Sequence, residues 1–182
     1  SEVRQSRWCR DYAANMQRLQ SLAARTGQAV LLYNGQPAAA CYHAISSGHT
    51  EASQNVWGGQ LPYLCGVDSA WDKFADGYEV TIQYSAEQVR TALEELGLTP
   101  DDPPESWVGA STWDKAGYVR TLELCGQMVS GLEVRKALDL RSTCFAIAWR
   151  GGQFVITTRG YGHGVGLSQY GAKAMAEGGA GW

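Results

Sequence analysis

The sequence predicts an α+β fold with a mainly antiparallel sheet and a few short helices. Two hairpin signals carry this prediction, since Asn34-Gly35 and Arg150-Gly151-Gly152 each separate two short apolar runs. Two capping boxes, at residues 85–88 and 130–133, predict short helices between those hairpins. The chain of 182 residues has no internal repeat and is long enough to form one hydrophobic core. We therefore expect a single domain over residues 1–182.

The first 26 residues predict a partly helical lead-in, because Tyr12, Met16 and Leu19 recur at roughly helical spacing. The first hairpin follows, with predicted strands over 29–33 and 38–45. The polar stretch after it predicts a loop beside the sheet edge. The later predicted elements are strands over 78–84 and 118–124, helices beginning at 85 and at 130, an irregular proline-rich connection over 99–105 and the second hairpin over 144–149 and 154–158.

The charge composition excludes some classes of partner. The chain has 15 basic and 18 acidic residues and a net charge of -3, without a basic stripe, which argues against a nucleic-acid partner. No apolar run is long enough to cross a bilayer. The seven Trp residues are core candidates, and aromatic faces are also platforms on which sugar rings stack. Five Cys residues form an odd set without a CxxC pair, which argues against a complete disulfide framework.

A Gly-rich segment over 160–171 is the first candidate for function. Four glycines alternate from Gly160 to Gly166, so either a ligand or another part of the chain can approach the backbone closely. His163 titrates near neutral pH, and Ser168 and Gln169 add groups that bind sugar hydroxyls. A dinucleotide-binding loop does not fit, because the spacing is not G-x-G-x-x-G.

A second candidate segment contains thiols and imidazoles. Cys41 and His43 project to the same side of a strand, His49 follows beyond a loop, and Cys65 comes later. Two His and two Cys residues suit tetrahedral zinc, although the spacing is not that of a zinc finger. The alternatives are buried thiols with hydrogen-bonding histidines, or a thiol hydrolase in which one of the histidines activates Cys65.

Glu51 lies in the same segment among hydroxyl groups. It is flanked by Ser46, Ser47 and Thr50, and it is an acid or base candidate if partial burial raises its pKa. The alternative is that this carboxylate accepts backbone hydrogen bonds and stiffens the loop.

These segments together resemble the stage II sporulation protein D family. The matching stretches include TGQAVLLYNG, YHAISSGHTE and GYGHGVGLSQYGA. Further matches in the same order lie at 56–58, 62–64, 67–69, 131–138, and 140–143 with Phe145. The order and spacing of the matches agree across nearly the whole chain.

The resemblance implies a lytic transglycosylase that cuts peptidoglycan glycan strands stripped of stem peptides. Such a protein acts during engulfment in a spore-forming bacterium, together with other engulfment membrane proteins. It is extracytoplasmic and membrane-anchored, at the septum or forespore surface. Cleavage falls between N-acetylmuramic acid and N-acetylglucosamine and leaves a 1,6-anhydro end. The residues expected to line the substrate groove are Ser46, Ser47, Thr50, Glu51, Arg141, Tyr161, His163, Ser168 and Gln169.

The chain departs from the family pattern at the catalytic residue. The family glutamate belongs to a stretch resembling E-x-L-K-A-Q-A-V-A-A-R-T, and here only Ala23-Ala24-Arg25-Thr26 matches its end. We therefore expect the catalytic glutamate upstream of residue 1, in a chain truncated at both ends and inactive alone. The alternative is a non-catalytic wall-binding module of the amidase-enhancer type. Some family members bind zinc near residues 43–55, which implies a site with His43, His49, and Cys41 or Cys65 as the remaining ligands.

Overall fold

The computed structural model describes residues 11–27, 29–101 and 103–181. The chain divides into two compact units, Ser1–Ala39 and Ala40–Trp182. Helices are mixed with small sheets that are almost entirely antiparallel, so the predicted α+β class is confirmed. No helix of the described ranges has the length and apolar character that a membrane span needs.

Within its described residues, 11–27 and 29–39, the first unit contains one helix and one short hairpin. Helix α1 (Tyr12–Thr26) confirms the predicted lead-in helix, while the rest of that prediction, over 1–10, lies outside the described residues. Strands β1 (Leu32–Tyr33) and β2 (Gln36–Pro37) pair antiparallel. The turn between them is the predicted one, with left-handed φ values of 50° at Asn34 and 75° at Gly35.

The predicted second strand of this hairpin, over 38–45, is wrong. Strand β3 (Tyr42–His43) instead pairs in parallel with strand β10 (Leu167–Ser168), far along the chain. The backbone N–H of Leu167 donates to the carbonyl of Cys41, so this part of the chain has a distant partner. The hairpin itself pairs two residues a side, and the Ala38 N–H donates to the Leu31 carbonyl at 2.8 Å just beyond it.

The second unit holds the remaining elements. Its helices are α2 (Ser53–Trp57), α3 (Ala86–Glu95), α4 (Gly131–Ala137) and α5 (Gln169–Glu177), with 3-10 helices at Ala70–Phe74 and Pro104–Ser106. Its longer strands are β4 (Glu79–Tyr84), β5 (Val108–Trp113), β6 (Val119–Leu124), β7 (Gln127–Ser130), β8 (Phe145–Arg150) and β9 (Gln153–Arg159). The loop predicted over 46–55 ends early, because α2 begins at Ser53.

Two three-stranded antiparallel sheets, β4-β9-β8 and β5-β6-β7, form the body of this unit. The second predicted hairpin is confirmed as β8 and β9, with left-handed Gly151 and Gly152 at its turn. Both capping boxes are present, where Ser85 caps α3 and Ser130 caps α4. Strands β5 and β7 and helix α5 were not predicted.

The core lies where α3 and α4 cover these sheets. Val89 and Leu93 of α3 and Val134 of α4 are buried against Trp107 and Phe154, whose rings stack 5.7 Å apart. Burial of such side chains contributes about 1.5–3 kcal/mol each relative to exposure. This packed body supports the segments 41–51 and 160–168, which carry most of the predicted site residues.

Candidate functional site

The Gly-rich segment packs along residues 41–51. The Tyr161 N–H donates to the Ile45 carbonyl at 2.7 Å, and the Glu51 N–H donates to the Gly164 carbonyl at 2.7 Å. All four alternating glycines have left-handed φ values, and a Cβ on any of them would collide with that segment or with Tyr118. These glycines therefore allow another part of the chain, residues 41–51, to approach their backbone closely. This was one of the two alternatives, and a ligand was the other.

His163 is held on this segment beside another imidazole and an indole. Its ring centroid lies 5.2 Å from Trp57 and 5.8 Å from His43. Burial lowers the pKa of His163, and the nearby positive charge of Arg135 lowers it further. Its Nδ1 accepts from the Val165 N–H at 3.1 Å, so the neutral ring carries its proton on Nε2.

Two arginines extend this surface. The Arg141 guanidinium lies 4.5 Å from the centre of the Tyr161 ring, a cation–π contact. Arg135 donates to the carbonyls of Leu140 and Arg141 at 3.1 and 3.2 Å, which fixes its position beside Arg141. We call Trp57, Arg135, Arg141, Tyr161 and His163 the aromatic–basic face. The predictions included Arg141, Tyr161 and His163, whereas Trp57 and Arg135 lie in the family-matching stretches 56–58 and 131–138 but were not predicted as site residues.

The hydroxyls of Ser46 and Ser168 have an internal partner in Asp72. This fully buried carboxylate accepts from the backbone N–H and the hydroxyl of Ser46 at 2.9 and 2.5 Å, and from the hydroxyl of Ser168 at 2.7 Å. Ser168 also caps α5 by accepting from the Gly171 N–H. Gln169 is exposed as the first residue of α5. Asp72 was not predicted as a site residue, because its partners are 26 and 96 residues away.

Ser47 and Thr50 also bond internally. The Ser47 hydroxyl donates to the Ala116 carbonyl at 2.8 Å, and the Thr50 hydroxyl accepts from the Val67 N–H at 2.9 Å. Tyr118 accepts from the Ser47 N–H and donates to the His49 carbonyl, and burial raises the pKa of Tyr118 to about 12. Ligand contact by Ser46, Ser47, Thr50 and Ser168 stays a prediction.

Glu51 is 3% exposed and borders an open cavity of about 330 Å³. One carboxylate oxygen accepts from the Ala52 N–H and the Asn55 amide, each at 2.8 Å. The other accepts from Arg120 at 2.7 Å, and Arg120 also binds Asp114. Burial raises the pKa of Glu51 despite Arg120. The carboxylate thus makes the backbone hydrogen bond of the loop-stiffening alternative, and its raised pKa meets the condition of the acid–base alternative, so the role of Glu51 stays a prediction.

The four predicted zinc ligands are not gathered into one site. His43 is buried and its Nδ1 donates to the Val165 carbonyl, while the Nδ1 of His49 donates to the Thr50 carbonyl. Cys41 is half-buried and Cys65 is exposed. Within the described ranges, no three His, Cys, Asp or Glu side chains are placed to hold a metal ion. The residues as arranged do not fit a tetrahedral site, and zinc binding stays a prediction.

A larger cavity lies beyond the turn that joins β5 and β6. It has a volume of about 800 Å³ and is lined by Tyr78, Trp113, Cys144 and Arg159 among others. Trp113 is 56% exposed there, and Arg159 pairs with Glu79 at 2.7 Å. Of the predicted site residues, only Ser47 lines this cavity.

Comparisons with known proteins identify relatives of this chain. No protein-family model matches it. It is 37% identical over 171 residues to stage II sporulation protein D of Bacillus amyloliquefaciens, and 35% identical over 171 residues to the protein of that name from Bacillus subtilis. Each alignment covers 93% of the chain and 48% of the relative, so the chain spans about half the length of these relatives. It is also 27% identical to the amidase enhancer of Bacillus subtilis, over 82% of the chain and 28% of that protein.

Proposed function

Because this chain belongs to the stage II sporulation protein D family, we propose that it supplies the glycan-binding face of a peptidoglycan lytic transglycosylase. The substrate is the glycan strand from which stem peptides have been removed. The sporulation relatives point to a spore-forming bacterium. In such a cell the protein acts outside the cytoplasm, anchored in the membrane at the septum or forespore surface, with other engulfment membrane proteins as partners.

The aromatic–basic face is the observation that carries the proposal. Trp57 and Tyr161 are exposed aromatic rings of the kind on which the C–H faces of sugar rings stack. His163 adds an imidazole ring that contacts Trp57 and is held by hydrogen bonds to the backbone of Val165 and Tyr42.

The charge of the face supports the choice of strand. Removal of the stem peptide leaves a free lactyl carboxylate on N-acetylmuramic acid, and Arg135 and Arg141 provide positive charge for it. A strand that still carries its peptides lacks this carboxylate at the sugar. The two arginines therefore favour strands without stem peptides.

Glu51 supports the site rather than cutting the glycan in this proposal. Both of its oxygens are held by protein donors, and its neighbour Arg120 also binds Asp114. Transglycosylation needs one carboxyl group that protonates the leaving oxygen and then accepts the proton of the sugar 6-hydroxyl. We assign that role to the glutamate that the family resemblance places upstream of residue 1.

Binding to peptide-free glycan strands tests this proposal. Strands prepared with an amidase are titrated with the 182-residue chain by calorimetry, and intact peptidoglycan fragments serve as the comparison. Trp57→Ala and Tyr161→Ala are each expected to raise Kd at least about tenfold, corresponding to about 1.4 kcal/mol. Trp113→Ala removes a comparably exposed Trp from the 800 Å³ cavity and is expected to leave Kd unchanged. Wild-type affinity in both face variants would overturn the proposal.

The match to the amidase enhancer favours a second candidate, a wall-binding module without glycan cleavage. A chimera separates the two: this chain replaces the aligned half of stage II sporulation protein D of Bacillus subtilis. Mass spectrometry then follows anhydro-muramic ends on peptide-free strands. New ends from the chimera, and none from the 182-residue chain alone, support the transglycosylase. Strands that are bound by the chimera but unchanged in mass support the non-catalytic module.

A further inference from the structure

A second group of exposed aromatic side chains lies between the 3-10 helix Ala70–Phe74 and α5. Trp71 and Phe74 are three residues apart, and side chains at that spacing in a 3-10 helix project from the same side. They are 60% and 82% exposed, with ring centroids 6.4 Å apart. Two large rings therefore stand side by side in solvent.

The backbone under these rings is held rigidly. Asp72 points the other way from the same helical turn and binds Ser46 and Ser168 in the interior. Ser168 caps α5, and the N–H of Tyr170 in α5 donates to the Ala44 carbonyl at 3.1 Å. Both walls of the space between the two helices are thus fixed through one buried carboxylate. A preformed site of this kind loses little conformational entropy when a ligand binds.

The space between these helices is a cleft of about 330 Å³, which we call the aromatic cleft. Trp71, Phe74 and Tyr170 provide its aromatic surface. Lys173 and Glu177 lie at the same cleft and pair with each other at 2.8 Å, and both remain about two-thirds exposed. The cleft thus offers stacking faces, one cationic donor and one anionic acceptor, with no net charge.

We propose that the aromatic cleft binds an N-acetylglucosamine ring of the glycan strand, as a subsite separate from the aromatic–basic face. This proposal rests on the proposed function and adds that the two sites bind different sugars of the same strand. N-acetylglucosamine is neutral, with a C–H face for stacking and with hydroxyl and acetamido groups for Lys173 and Glu177. N-acetylmuramic acid without its peptide carries a carboxylate, which suits the two arginines of the other face. A nucleic acid does not fit the aromatic cleft, because its one lysine is paired with a glutamate.

The test uses the β-1,4-linked tetramer of N-acetylglucosamine, which has no carboxylate. Calorimetric titration of the 182-residue chain compares wild type with Trp71→Ala, Phe74→Ala and Trp57→Ala. We expect the first two variants to raise Kd for the tetramer at least tenfold, and the third to raise it less, because the tetramer lacks the carboxylate that the arginines beside Trp57 would bind. Met175→Ala, an exposed change on α5, is the matched control and should bind as wild type. Urea unfolding of each variant verifies that the fold is intact.

Three results would overturn the aromatic cleft as a sugar subsite. The first is that the tetramer fails to bind to the wild type. The second is that Trp71→Ala and Phe74→Ala bind it as tightly as the wild type does. The third is that size-exclusion chromatography reveals a dimer that Phe74→Ala dissociates. The larger proposal fails separately. If Trp57→Ala still weakens binding of peptide-free strands, the proposed function survives the loss of this subsite. If all aromatic variants bind strands as wild type does, both proposals are wrong.

Discussion

Two regions of residues 40–181 use polar and aromatic side chains in opposite ways. Around Asp72 and Glu51, carboxylates and hydroxyls are buried and bonded to one another and to the backbone. On the aromatic–basic face and in the aromatic cleft, large rings are exposed to solvent, beside the half-buried Arg135 and Arg141 and the exposed Lys173 and Glu177. The first region holds the Gly-rich segment and α5 in place, and the second is the surface for which we propose glycan binding.

The difference separates stability from function within one site. If a buried carboxylate is removed, its hydrogen-bond donors stay buried without an acceptor. The fold then loses the full desolvation free energy of those donors. An exposed ring contributes little to folding, since its surface stays in water in both states. Substitutions in the first region should therefore lower the free energy of unfolding, and substitutions in the second should affect mainly the proposed ligand binding.

The largest effect is expected from Asp72→Ala. This change leaves the N–H and hydroxyl of Ser46 and the hydroxyl of Ser168 without their acceptor. Each buried unsatisfied group costs about 1–3 kcal/mol, so the free energy of unfolding should fall by roughly 3–5 kcal/mol. Urea denaturation followed by circular dichroism measures it. The exposed Asp76→Ala is the control, and equal stability of the two variants would contradict the importance of the buried carboxylate.

A second, smaller effect separates close approach from backbone strain. Gly166 and Gly97 have the same φ of 77°. Substitution by alanine at either position should therefore lower the free energy of unfolding by about 1–2 kcal/mol through left-handed backbone strain. A Cβ at Gly166 would also collide with the Cys41 carbonyl, whereas the space at Gly97 is open. Gly166→Ala should therefore be about 2 kcal/mol less stable than Gly97→Ala in urea. Similar losses in both would show that the segments 41–51 and 160–168 do not need their close contact.

The pH dependence of stability tests the environment of Glu51. Burial raises its pKa in the folded protein above the ordinary 4.5, so the folded state binds the proton more tightly than the unfolded state. This contribution is fully present below pH 4.5 and is lost as pH rises through the higher folded pKa. Relative to Glu51→Gln, the wild type should lose at most about 1.4 kcal/mol per pH unit within that window.

Urea denaturation at several pH values from 4 to 7 gives the stability difference between wild type and Glu51→Gln. The exposed Glu105→Gln is the control and should follow the wild-type profile. If the difference instead grows in favour of the wild type as pH rises, Arg120 outweighs burial and the pKa of Glu51 is lowered.

The elements that could be predicted are those whose signals come from residues close together in the sequence. Both capping boxes join a serine to a side chain three residues away, and both hairpin turns have left-handed glycines at their tips. The parallel pair of β3 and β10 joins Leu167 to Tyr42, and no local pattern reports such a distant partner. Strand β5 was missed because its residues Gly109 to Ser111 lack apolar alternation and the strand has a bulge there.

In the candidate site too, residues within a local motif were predicted, and residues that contact it from far along the chain were not. The Gly-rich motif led to Tyr161 and His163, and both lie on the exposed face. The buried partners Asp72 and Tyr118 and the half-buried Arg120 were missed, because each meets the segment 46–51 from at least 26 residues away. Sequence patterns revealed which segments matter, while only packing distinguished the hydroxyls that hold the structure from the rings that face solvent.

The smallest expected effect is the sharpest test of this division. Trp57 is 49% exposed and contacts His163, and Trp57→Ala should change the free energy of unfolding by no more than about 0.5 kcal/mol. Trp107→Ala removes the same side chain from the core, where it stacks on Phe154, and should cost about 3–5 kcal/mol. Both are measured by urea denaturation. A loss of 2 kcal/mol or more in Trp57→Ala would mean that this ring supports the fold, and a lower glycan affinity in that variant would then no longer indicate direct stacking.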